Sequence, residues 1–167
     1  MAKKKIKLNI NYLTLIIALA FGITAVLMIF SKAIIGDMLL GDGSKIAFKG
    51  TQLSFGFSIA GNTNLGTVET PVLSANPFSI FAFLFPLLGL VLLPFSLTKK
   101  AKLFNIICGV IFVVSAFCAL IAFTTFNYFI IEAMYKSFVY RVGIGLILSG
   151  VFSMIAGLTC LFRAYMN

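Results

Sequence analysis

Four uninterrupted apolar runs, at about 10–30, 78–97, 103–126 and 142–162, contain no Asp, Glu, Lys or Arg. Each is close to the roughly 20 residues that carry a helix across a hydrocarbon core of about 30 Å. Inside lipid every backbone N–H and C=O must find its partner within the protein, so segments this long and apolar are helices rather than strands. The rest of the chain agrees. Hydrophobic residues make up 61% and charged residues 10%, against roughly 45–50% apolar content in globular proteins. The charges sit at the ends and between the runs, which excludes a water-soluble fold. The sequence predicts an all-α membrane protein, a single domain over 1–167: a four-transmembrane-helix bundle with a small extracellular β segment between helices 1 and 2.

Basic residues in the flanks set the orientation. Lys3, Lys4, Lys5, Lys7, Lys99, Lys100, Lys102 and Arg163 fall on one side. Lys32, Lys45, Lys49, Lys136 and Arg141 fall on the other, together with all four acids, Asp37, Asp42, Glu69 and Glu132. The side richer in Lys and Arg is expected to be cytoplasmic, giving a multi-pass plasma-membrane protein with both termini inside. The Lys-, Ile- and Phe-rich composition with short loops points to a bacterial inner membrane. A cleaved signal peptide is the other reading of the first run, but its apolar stretch exceeds the roughly 7–15 residues of such a peptide, and no convincing cleavage site follows Phe30. The net charge of +9 lies beside apolar runs, where it meets anionic lipid headgroups, and not in the pattern of a nucleic-acid-binding protein. The expected partners are the bilayer with its anionic headgroups and a membrane protein or second copy of the chain, with no nucleic acid.

Membrane helices pack through small residues, because lipid supplies no hydrophobic drive for association. Gly145, Ser149, Ser153 and Gly157 recur every four residues, widened by Gly143 and Gly150, and Ala18 with Gly22 makes a shorter version in the first run. The stripe serves either a seam within the monomer or a dimer face. Pro86 and Pro94 each remove a backbone donor and should kink or locally unwind the second helix, as a bend or as carbonyls opened to an ion. Cys108, Cys118 and Cys160 lie within apolar runs without a CxxC pair and read as small core residues.

The segment 31–77 is too polar to cross and too apolar for disorder. Alternation through Leu53, Phe55, Phe57 and Ile59 predicts a half-buried strand, with Ile46-Ala47-Phe48 as its partner, a turn over 61–66 and a third short strand over 67–70. The resulting sheet, spanning 44–70, either lays Phe48, Leu53, Phe55, Phe57 and Ile59 over the helix ends or offers them to a partner by strand addition. The second outer connection, 127–141, is aromatic. Ile130, Ala133, Met134, Ser137 and Phe138 fall on one helical face with Glu132 and Lys136 as an i,i+4 pair, so the third helix is expected either to project and turn or to end in an interfacial aromatic belt.

The chemistry of catalysis is missing. The chain has no His, which removes Ser/His and Cys/His nucleophile pairs, and its four acids are dispersed over the outer loops. Ser153 belongs to the packing stripe. Buried cysteines without His or carboxylate neighbours make a poor ligand set, and Gly41-Asp42-Gly43-Ser44-Lys45 lacks P-loop spacing. No metal, cofactor or catalytic residue is expected. The apolar runs also lack the ionisable residue that proton-coupled transport commonly uses.

Four spans with internal termini, a long β-rich first outer loop and a short second one resemble the claudin-type tetraspan arrangement. The similarity is one of layout. With no Trp in the chain and no Cys in the loop, the claudin signature of a Trp-Gly-Leu-Trp run with a Cys pair is absent, and no functional residue carries over. The resemblance implies an adhesion, barrier or accessory role. The sequence thus points to a non-enzymatic membrane protein acting by association through its outer β loop, as accessory subunit or surface interaction module. The alternative is a small channel or transporter component formed on oligomerisation.

Overall fold

The computed structural model describes residues 2–38, 45–63, 66–98 and 100–166. Asp42 with its neighbours Gly41, Gly43 and Ser44, Asn64 and Leu65 of the expected turn, and Lys99 lie outside the described residues. The chain runs through helix α1 (Ala2–Leu27), strands β1 (Lys32–Met38) and β2 (Lys45–Lys49), the short helix α2 (Gly50–Phe55), strands β3 (Phe57–Thr63) and β4 (Gly66–Leu73), helices α3 (Pro77–Leu92) and α4 (Ala101–Thr124), strand β5 (Phe138–Val142) and helix α5 (Ile144–Met166).

Four helical segments are long and apolar enough to cross a membrane: Tyr12–Phe30, Pro77–Leu97, Ala101–Thr124 and Ile144–Met166. At a rise of about 1.5 Å per residue they reach roughly 29–36 Å. Only 22–44% of their most apolar windows is buried inside the bundle, so their outward faces require an apolar solvent. Helices α1 and α4 each pack against both α3 and α5. Neighbours are antiparallel, which leaves the chain ends at one end of the bundle, the terminal end, and the strands at the other, the β end.

Phe112 of α4 fills the bundle centre and is fully buried. Glycines on the other three helices make its socket: a Cβ added at Gly89 or Gly22 would come within 2.8 Å and 3.0 Å of its ring, and one at Gly157 within 3.2 Å of its Cβ. Such contacts require the partner helices to lack side chains there. Pro86 is buried inside α3 and cannot donate to the carbonyl four residues earlier, that of Ala82. Ser115 Oγ of α4 donates to that carbonyl at 2.8 Å and lies in hydrogen-bond contact with Ser153 Oγ of α5 at 3.2 Å. The expected break is therefore mended by a neighbouring helix. Pro94 opens a 3-10 turn, Leu93–Leu97.

The β end departs from expectation in four ways. Leu53 and Phe55 belong to α2, and Gly56, at φ 84°, reverses the chain into β3; glycine tolerates this left-handed conformation. Strand β2 pairs with β1, not with 53–59. Strand β5 joins the other edge of β1 to complete a sheet ordered β2-β1-β5, so 138–142 is extended and not part of a helical face. Residues Phe126–Phe129 and Ala133–Ser137 are 3-10 turns, so α4 does not project as a continuous helix, and among the described residues the ion pair is Arg141–Asp37 at 3.3 Å rather than Glu132 with Lys136. Strands β3 and β4 form a separate antiparallel hairpin, which includes the expected strand at 67–70. The all-α description holds for the membrane part alone.

Candidate functional site

The two inter-helix connections are knitted into one cap over the β end. Ile34 of β1 faces Phe48 on one side and Val142 on the other, and Ser74 and Ile131 bond to the backbone of Phe129 and Val72 at 2.9 Å each. Phe48, nearly fully buried, is ringed by Phe57, Phe126, Tyr135 and Tyr140 with centroids 5.6–6.4 Å away. Tyr140 donates its hydroxyl to the carbonyl of Tyr135, and burial, reinforced by Tyr135, pushes its pKa up to about 12.

The residues expected to form one outer face are divided. Phe48 and Leu53 are buried and Phe57 is half-buried, whereas Phe55 is 73% exposed and Ile59 is exposed as well. The alternation is broken at Gly56, so Leu53 points into the core from a helix while Phe55 points away. Beyond its base, where Phe57 is half-buried and Val72 and Leu73 are buried in the core, the hairpin is exposed: Ser58, Ile59 and Ala60 on β3 and Thr67, Glu69, Thr70 and Pro71 on β4, on both faces of the ribbon. Tyr128, Ile131, Met134 and Val139 add exposed apolar surface from the second connection.

Gly145, Ser149, Ser153 and Gly157 are all buried within the monomer. Gly145 lies against the backbone of Met28 and Lys32, and Gly157 against Gly109, Phe112 and Val113. Ser153 meets Ser115, while Ser149 Oγ is buried without a partner. Gly150 lies off this line, in an apolar groove of about 350 Å³ between α4 and α5 walled by Phe117, Leu120, Leu146 and Val151.

A second polar cluster lies towards the terminal end. Arg163 of α5 is 4% exposed and its Nη1 donates to Ser96 Oγ at 2.7 Å, with Cys108, Cys160 and Tyr12 in electrostatic reach. Among the described residues its Nε has no partner, nor has either polar atom of the fully buried Asn105. Asn105 precedes Cys108 by one turn on the buried face of α4, and the adjacent Phe104 stacks on Phe95, next to Ser96. The sequence reading counted Arg163 only as a flanking charge. The signal was its place on the continuation of the small stripe, through Gly157 and Cys160.

Among the described residues no three of Cys, Asp or Glu come together as a metal site, and Cys108, Cys118 and Cys160 are free and buried. No protein-family model and no curated protein matches the chain.

Proposed function

We propose that the chain is a non-enzymatic membrane protein that acts by association, as an accessory subunit or cell-surface interaction module whose contact surface is the β end. The observation that carries this reading is the β3–β4 hairpin. A two-stranded ribbon is marginal alone in water, and beyond its base, where Leu73 bridges to Ile130, this one is exposed on both faces, its strands otherwise paired with each other among the described residues. An edge of this kind is a template for strand addition, and Phe55 and Ile59 supply apolar contacts beside it. The layout resembles that of claudin-type tetraspan proteins, which supports an adhesion, barrier or accessory role by topology alone. The runner-up is a channel or transporter component formed on oligomerisation. A route through the monomer is disfavoured by Phe112, seated among glycines of the three other helices.

The asymmetry of basic residues supports a β end outside the cell and termini in the cytoplasm, in a plasma membrane of bacterial type. Photo-crosslinkers placed at Ser58 and Thr70 in native membranes should trap a discrete partner, while one at the lipid-facing Phe117 should not. Crosslinking no stronger from the hairpin than from Phe117, together with ligand-free conductance of the reconstituted chain, would transfer the reading to the channel. Cysteines at Lys45 and Glu69 should react with an impermeant reagent on intact cells, and one at Lys100 only after the membrane is opened.

A further inference from the structure

Arginine keeps its charge under all physiological conditions, and a buried charge is tolerated only when paired. Yet among the described residues the guanidinium of Arg163 has a neutral hydroxyl, that of Ser96, as its hydrogen-bond partner. Among the described residues the carboxylate side chains, Asp37, Glu69 and Glu132, all belong to the two connections at the opposite end. One turn before Cys108 on the buried face of α4, Asn105 leaves both an amide donor and an acceptor unpartnered among the described residues at zero exposure. A trapped water would satisfy the amide; it would not neutralise the charge. An oxyanion would neutralise the guanidinium and accept from the Asn105 amide N–H, while Oδ1 needs a donor such as a headgroup hydroxyl. Nη1 is occupied by Ser96, so the Nε side of the guanidinium remains for the two-point contact that arginine makes with phosphate.

Depth decides where the anion comes from. Arg163 is three residues from the end of a 23-residue helix of membrane length, where the phosphate layer of a bilayer lies. Lys100 and Lys102 are exposed at the same end, which concentrates anionic lipid there. We propose that Arg163, with Asn105 and Ser96, forms a binding site for the phosphate of an anionic phospholipid in the leaflet at the terminal end. Arg163 as a residue is 4% exposed, so the headgroup reaches it through a small movement of the Leu93–Leu97 turn or of the arginine's own long side chain, which can extend toward the interface.

The test uses the full chain reconstituted in nanodiscs of phosphatidylcholine, with phosphatidylglycerol titrated in or with inorganic phosphate added instead, read by thermal midpoint and by lipid retained in native mass spectrometry. Phosphatidylglycerol should raise the wild-type midpoint and remain bound. Arg163→Gln should weaken its apparent affinity by about tenfold or more, while exposed Lys102→Gln should change it by about twofold or less. Arg163→Lys, which keeps the charge and loses the planar fork, and Asn105→Ala should fall between, and these two decide the matter if Arg163→Gln does not fold. Equal responses of these variants and wild type would overturn the site, as would equal stabilisation without phosphatidylglycerol. Full stabilisation by inorganic phosphate would overturn the lipid assignment.

Discussion

Asn76 and Asn105 are both fully buried asparagines at helix positions in the same bundle, and their surroundings could hardly differ more. Asn76 caps α3, its Oδ1 accepting from the N–H groups of Phe78 at 3.0 Å and Ser79 at 3.4 Å, while its Nδ2 donates to the Ala122 carbonyl near the end of α4 at 3.1 Å. One side chain thus satisfies orphan donors of one helix and an orphan acceptor of another. Asn105, toward the terminal end, has no partner for either polar atom among the described residues. The β end uses its central buried asparagine to hold helices together; the terminal end holds polar groups that packing does not explain. A buried polar residue is therefore read by its partners, and burial alone does not separate a staple from a site.

The comparison assumes one core that serves both ends. Phe112→Ala should test this with the largest effect, a loss of about 3–5 kcal/mol, measured by unfolding in nanodiscs with probes at Tyr140 and Tyr12. Both probes should report the same lowered transition, and loosening confined to one end would break the comparison into two independent units. Next, Asn76→Ala should cost about 1–3 kcal/mol, since it removes a cap and strands a buried carbonyl. Asn105→Ala in phosphatidylcholine should cost less, because it removes a group already unpaired. Equal losses would mean that Asn105 is a staple after all.

A smaller effect is expected from pH at the β end. The raised pKa of Tyr140, about 12 against an ordinary value of 10.0, means that the folded protein keeps the phenol proton after the unfolded chain has lost it. Its contribution to stability is complete below pH 10, declines above it and is gone beyond pH 12. Tyrosinate absorbance should accompany loosening of the cap in that window, and Tyr140→Phe should abolish this contribution while costing about 1 kcal/mol at neutral pH through the lost hydrogen bond to Tyr135. The smallest change in stability, within about 0.5 kcal/mol, is expected for Ile59→Asp on the exposed hairpin. That variant should nevertheless lose the crosslinked partner, and a large stability loss would place the hairpin in the core.

The spans were legible because length and apolarity are local properties and the bilayer admits few alternatives. The expected runs begin or end within a few residues of the helices, apart from the extensions of α1 back to Ala2 and of α5 to Met166. The cap was legible only in part. Leu53, Phe55, Phe57 and Ile59 alternate as a strand would, but a short alternation also fits one helical turn followed by a reversal, and the backbone at Gly56 settles which. The aromatic residues of the second connection matched a helical face, yet Phe138–Val142 became a strand because β1 offered it an unpaired edge.

The amino-acid sequence by itself determined the four membrane-length helices, the segregation of acids to one end and the placement of small residues along the last helix. Each follows from solvation or steric size, quantities that a residue carries with it. Only the tertiary structure decided that the two connections share one sheet, that Ser115 repairs the break left by Pro86, and that Arg163 lies buried with no carboxylate partner among the described residues. Those outcomes depend on which groups meet across distant parts of the chain, and hydrogen-bond satisfaction is a property of the pair rather than of either residue.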